Sequence, residues 1–143
     1  MSIQWRTDYA IRLMYETARL GPGRRATVQL LARAGDVPYD FARQIANDLV
    51  HGGLLLSRRG PHGGMELARP AEEITILDIF EAVSEPPTMS LCTHADHVCT
   101  RKPVCPIHHG VWIELDESIR DELATKTLAD AIARGEELAG KES

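Results

Sequence analysis

The stretch from Pro38 to Arg69, PYDFARQIANDLVHGGLLLSRRGPHGGMELAR, carries two structural signatures in immediate succession. Pro38 suits the first turn of a helix running to about His51, with Phe41, Ile45 and Leu49 on one apolar stripe and Tyr39, Asp40, Arg43, Gln44 and Asn47 elsewhere. Gly52-Gly53 supplies the stop. Leu54 to Arg58 then predicts a strand, Arg59 to Gly64 a hairpin tip, and Met65 to Arg69 the return strand.

Working outward, Thr7 can cap a helix over Asp8 to Leu20 that places Ala10, Leu13, Met14, Thr17 and Ala18 at helical spacing, and Gly21-Pro22-Gly23 ends it. Thr27 opens a short helix through Leu30, Leu31 and Ala34, closed at Gly35-Asp36. Two short helices joined by a tight turn, the second with an apolar back and a polar front, form a helix-turn-helix, and the hairpin adds a wing. The expected class is mainly α with a small β-hairpin wing: a winged helix-turn-helix domain over residues 1–70, and a second half over residues 71–143. Tyr39, Arg43, Gln44 and Asn47 are candidates for contact with bases in the major groove of double-stranded DNA. Arg58, Arg59 and His62 are candidates for phosphate or minor-groove contact, with a purely solvated surface as the competing reading.

Charge supports that division. The net charge is -5, which taken alone argues against a nucleic-acid partner. Residues 1–70, however, carry ten Arg against six acids, and residues 71–143 carry six Lys or Arg against fifteen acids. Every cation of the basic half is Arg, whose planar fork matches phosphate and guanine.

The acidic half begins with Thr75 and Asp78, spaced as a capping box, and a helix carrying Ile76, Ile79, Phe80 and Val83 that is expected to end at Glu85-Pro86-Pro87. A loop over about residues 88–109 follows. Beyond it Ile107, Val111, Leu115, Ile119 and Leu123 recur at steps of four beside Trp112, a stripe that suits a long dimerisation helix. Thr127 and Asp130 form a second capping box for a terminal helix through Leu128, Ile132 and Leu138, with Gly140 to Ser143 expected to fray.

The loop holds all three cysteines of the chain, Cys92, Cys99 and Cys105, within fourteen residues, together with four of the six histidines. An odd number of thiols cannot close into disulfides, and Met1 to Leu20 has neither a signal-peptide core nor a membrane span, so a reduced, cytoplasmic setting is expected. No Cys-x2-Cys knuckle of the kind common in structural zinc sites is present. Three spread thiols suit an iron-sulfur cluster with a fourth, non-cysteine ligand. A zinc-stabilised protein-interaction module and three unrelated buried cysteines are the competing readings. No Ser-His-Asp order, phosphate loop or paired-carboxylate motif points to an enzyme.

In combination these features resemble one family, the Rrf-two winged-helix regulators of bacteria. The matching motifs are Thr7-Asp8-Tyr9-Ala10, Arg59-Gly60 with Gly63-Gly64, Arg69-Pro70-Ala71, Ile76-Leu77-Asp78, the three-cysteine loop and Thr127-Leu128-Ala129-Asp130, in family order over residues 3 to about 133. The resemblance implies a homodimer on a partly palindromic operator, most often repressing, with Cys92, Cys99 and Cys105 as iron-sulfur ligands. It offers two fourth ligands. In one branch a histidine three residues after the last cysteine, here His108, completes a 2Fe-2S cluster. In another an aspartate at the start of the first helix, here Asp8 of the partner subunit, completes a 4Fe-4S cluster; the first helix looks more like this second kind, so the resemblance favours 4Fe-4S over 2Fe-2S. The chain departs from the pattern in having Met65 where an aromatic residue often follows the wing glycines. It also has one extra residue between Cys105 and Thr127, which brings His109 forward as a rival to His108.

Overall fold

The computed structural model describes residues 5–84 and 87–142. The first helix, α1, spans Trp5–Arg19 and buries Thr7, Ala10, Leu13, Met14 and Thr17, one stripe at helical spacing. Thr7 is therefore not the cap that its sequence neighbourhood suggests. It lies inside the helix, and its hydroxyl donates to Ser84 Oγ at 3.1 Å, a partner 77 positions away that no local pattern announces.

Helix α2 spans Val28–Ala34, and Thr27 Oγ1 accepts from the backbone of Leu30 at 3.2 Å, as an N-cap should. Helix α3 spans Tyr39–His51, with Pro38 immediately before it rather than within its first turn. Its buried face is Ala42, Ile45, Ala46 and Leu49. Phe41 departs from expectation: it stays 40% exposed, because it lies to one side of that stripe and packs across Trp5 instead, with ring centres 4.5 Å apart.

Strands β1, Leu55–Arg58, and β2, Gly64–Leu67, pair antiparallel, with Leu55 opposite Leu67 and Arg58 opposite Gly64. Ala26 adds a single rung on the other side of β2: Met65 N–H donates to its carbonyl at 2.7 Å and Ala26 N–H donates back at 3.3 Å. Gly64 sits against that rung with φ +136, and a Cβ there would come within 2.6 Å of the Ala26 carbonyl oxygen. Glycine is thus required by a close backbone approach as well as by its dihedral.

Helix α4 spans Ile76–Val83; the expected stop at Glu85 and Pro86 lies outside the described residues. A helical run begins at Pro106, passes through a π-turn at His108–Trp112 and continues as α5, Ile113–Thr125. Helix α6 spans Leu128–Lys141, so it runs through Gly140 rather than fraying there. Both expected capping boxes form, Thr75 with Asp78 and Thr127 with Asp130. They lie side by side: Ile76 N–H donates to the Lys126 carbonyl at 2.8 Å, and Leu128 N–H donates to the Ile74 carbonyl at 3.0 Å. Ile74, Ile79, Val83 and Leu128 join the buried residues of α1, α2, α3 and the wing in one contiguous core.

Leu128 has no exposed surface and is the buried side chain of α6, so Leu128→Ala is expected to lower stability by about 2–5 kcal/mol. Urea unfolding followed by circular dichroism checks this; a loss well under that range would mean that α6 contributes little to the shared core.

Candidate nucleic-acid interface and cysteine loop

Arg43, Gln44 and Asn47 lie with Asp40 around one shallow depression on the exposed face of α3, opposite the buried Ala42, Ile45, Ala46 and Leu49. The Arg43 guanidinium lies 5.9 Å from the centre of the Tyr39 ring, which extends the same face to the helix start. Asp40 places one acid among these donors. In the wing, Arg59 and His62 are exposed, and Arg59 makes no ion pair among the described residues. Arg58 differs: its Nε donates to Glu66 Oε1 at 3.1 Å, while Arg25 Nε donates to Glu66 Oε2 at 3.0 Å. The hydrogen bond from Arg58 holds the Glu66 carboxyl below its ordinary pKa, with Arg25 adding to the effect against the opposing influence of burial. Sequence reading passed over Arg25; the basic pair Arg24-Arg25 just before the α2 cap was the available signal.

The cysteine loop is fastened near its start, where Met89 N–H donates to Asp116 Oδ1 of α5 at 2.6 Å. Asp116 is only 8% exposed. A short turn at Leu91–Thr93 follows, with the Ser90 hydroxyl accepting from Cys92 N–H at 3.2 Å. All three cysteines are free and half-buried. Cys105 directly precedes the helical run whose first residue is Pro106, and the backbone N–H groups of His108 and Ile107 both reach toward its sulfur. The His108 N–H is the main cause of a lowered thiol pKa, assisted by Ile107 and Arg101 and opposed by desolvation. A helix N-terminus thus favours the thiolate, the form that binds metal.

His108 is 4% exposed, and its Nδ1 is buried without a hydrogen-bond partner among the described residues. Burial, reinforced by His109 and Lys102, lowers its pKa and so favours the uncharged ring. His109 lies on the exposed side, with Nε2 at 2.9 Å from the Lys102 carbonyl oxygen. The two rings meet edge to face at 4.9 Å. The helical turn at His108–Trp112 is a π-turn, which holds one residue more than an α-turn. Asp8 is half-exposed in the first turn of α1 and pairs with Arg12 Nη2 at 2.9 Å. Among the described residues no three His, Cys, Asp or Glu side chains are gathered closely enough to hold a metal ion. The donor set nevertheless fits a thiophilic metal group, since it offers three thiols, one of them favoured as thiolate, and an unpartnered neutral imidazole. Ligation would have to draw the loop together.

A helix-turn-helix frame, an exposed polar helix face and a basic wing define a winged-helix transcriptional regulator rather than an enzyme. Residues 3–134 match the profile of a family described as Rrf2, iron-dependent transcriptional regulator, and the chain belongs to that family. It is 30% identical over 115 residues to a protein of Aquifex aeolicus described as an HTH-type transcriptional regulator, covering 79% of each chain. The fold is similar to that of CymR, described as the global cysteine regulator of B. subtilis, with a TM-score of 0.76 at 22% identity over 94% of this chain and 98% of that one. It is likewise similar to T. potens IscR, with a TM-score of 0.77 at 22% identity over 96% of this chain and 90% of that one. Among the described residues no helix is long and apolar enough to cross a membrane.

In the metal-free chain carrying C92S and C99S, the remaining Cys105 is expected to alkylate with a pH midpoint below that of a cysteine peptide measured alongside, because the helix start favours its thiolate. A midpoint at or above the peptide's would mean that the helix N–H groups do not act on the sulfur.

Proposed function

We propose that the chain is a homodimeric, DNA-binding transcriptional regulator, repressing in its bound state, whose hold on a partly palindromic operator depends on an iron-sulfur cluster ligated by Cys92, Cys99 and Cys105. Residues 1–70 read DNA, and residues 71–143 hold the sensing loop and the dimerisation helices. The observation that carries the reading is the buried, unpartnered Nδ1 of His108, three positions beyond the helix-capping Cys105. An orphaned buried nitrogen is costly unless something binds it, and beside three thiols the partner it suits is a metal. His108 is accordingly the fourth ligand, which by the family resemblance goes with a 2Fe-2S cluster. Asp8 of the partner subunit, with a 4Fe-4S cluster, is the rival. Its carboxylate is already engaged by Arg12, and reaching a metal would mean giving up that pair.

When bound, the cluster supplies a crosslink that redox change, oxygen or nitric oxide can alter. The chain's own residues do the rest. Cys92 lies close to the Met89–Asp116 fastening, and Cys105 caps the run leading into α5, so a common ligand for the two fixes both ends of the loop against the long helix. Ile107, Val111 and Leu115 stay exposed on that run, an apolar stripe suited to a second copy. In such a dimer the setting of the two long helices fixes the spacing of two copies of α3, which must reach successive major grooves roughly 34 Å apart. Tyr39, Arg43, Gln44 and Asn47 then face base edges, and Arg58, Arg59 and His62 face the backbone or minor groove.

Anaerobic purification with iron and sulfide counting is expected to return both elements with a visible absorption band; zinc in their place would overturn the cluster and favour a zinc-held interaction module. His108→Ala is expected to alter that spectrum and Asp8→Ala to leave it intact, whereas the reverse pattern would assign the ligand to Asp8. On DNA, Arg59→Ala should weaken binding across all sequences and reduce the salt dependence by about one phosphate contact, while Gln44→Ala should cost about 1–3 kcal/mol of discrimination at one base position. Unchanged binding in both variants would remove α3 and the wing from the DNA interface.

A further inference from the structure

The wing pairing places three charged side chains in a row that neither the hairpin nor the recognition helix explains. In the ladder Ala26 lies opposite Met65, which sets Arg25 directly across from Glu66; Leu56 lies across from Glu66 on the other side, with Arg58 diagonal to it. Glu66 is the most covered of the three, its side chain 14% exposed against 33% for Arg25 and 56% for Arg58. Each of its oxygens takes one guanidinium, and takes it through Nε. That leaves the Nη ends of both forks without an ion-pair partner among the described residues. Two arginines on one carboxylate retain a net positive charge, and an arginine anchored through Nε keeps the two-pronged edge that grips phosphate.

We propose that Arg25 and Arg58, held side by side by Glu66, form a two-armed clamp for the DNA sugar-phosphate backbone at the base of the wing. Arg25 is then a DNA contact supplied from outside the hairpin, by the segment leading into α2. Glu66 is the positioning residue: it touches no DNA but limits the rotamers of both arginines before binding, so less side-chain freedom is lost on contact. Phosphate is the favoured partner rather than a base edge because the cations are offered from a β surface beside the groove-reading helix and carry no partner acceptor for discrimination.

The clamp rests on the reading of the wing as a DNA-binding surface, and the test separates the two. The full-length protein is titrated with a mixed-sequence duplex of about 30 base pairs at several salt concentrations by fluorescence anisotropy. Arg25→Ala and Arg58→Ala are each expected to weaken binding severalfold and to flatten the plot of log affinity against log salt by about one unit, with about two units lost in the double variant. Glu66→Gln is expected to weaken binding in the intact protein but not in the R25A/R58A background. Equal losses in both backgrounds would show Glu66 supporting the wing fold rather than the arginines, and would overturn its role. If Arg25→Ala leaves affinity and slope unchanged while Arg59→Ala lowers them, the clamp is wrong and the wing reading stands. If the full chain does not bind the duplex even at low salt, the wing reading falls and the clamp with it.

Discussion

The buried stripe of α1 is the constraint on which the rest of the molecule depends. Ala10, Leu13 and Met14 form a wall against which α3, α4, α6 and β2 all pack. Each large apolar side chain buried in this way contributes about 1.5–3 kcal/mol, and no other element is shared by so many neighbours. Helix α3 therefore has no core separate from the acidic half: Ile45 and Leu49 lie in the same packed body as Ile74, Ile79 and Leu128. Close-packed interiors transmit displacement instead of absorbing it.

The start of α1 sharpens that coupling. Arg6 Nε donates to the Val83 carbonyl at the end of α4 at 3.1 Å, while another nitrogen of the same guanidinium pairs with Asp48 of α3. Thr7 reaches Ser84 directly beyond α4. One turn of helix thus joins the root of the cysteine loop to the helix that presents Arg43, Gln44 and Asn47. The loop itself is held differently. Leu91, Val98 and Val104 are 75%, 90% and 82% exposed, so little buried apolar area opposes its movement, and the hydrogen bond from Met89 to Asp116 joins it to the long helix. A weakly packed segment rooted in a tightly packed one is suited to sense a ligand and pass on its effect.

The periodic elements were legible from sequence because their signals are local. The α1 stripe, the Thr27 cap, the glycines of the wing and both capping boxes each require only a few neighbouring residues to recognise, and each is where the pattern puts it. What escaped depends on distant partners. Thr7 looked like a cap because its hydroxyl was read against its own helix, whereas its partner is Ser84. Phe41 looked like core because steps of four select it together with Ile45 and Leu49; the surface it covers belongs to Trp5. Arg58 looked like a free cation because Glu66 and Arg25 come beside it only once β2 is flanked on both sides. Of the cysteine loop, sequence gave the donors and their order, and the folded chain adds that one of them caps a helix.

The π-turn after Cys105 shows how a small backbone device can decide which side chain turns inward. An insertion carried through an α-helix turns everything beyond it by about 100°, which would move Asp116 off Met89 and swing the apolar stripe of α5 to another face. The π-turn at His108–Trp112 holds one residue more than an α-turn, and α5 beyond it keeps the phase that sets Asp116 on the Met89 N–H. It also divides the two adjacent histidines: His108 turns inward with an unpartnered nitrogen, and His109 turns out to the Lys102 carbonyl. The rivalry between them is thus a matter of helix phase, and the phase that keeps Asp116 on the loop is the same one that buries His108.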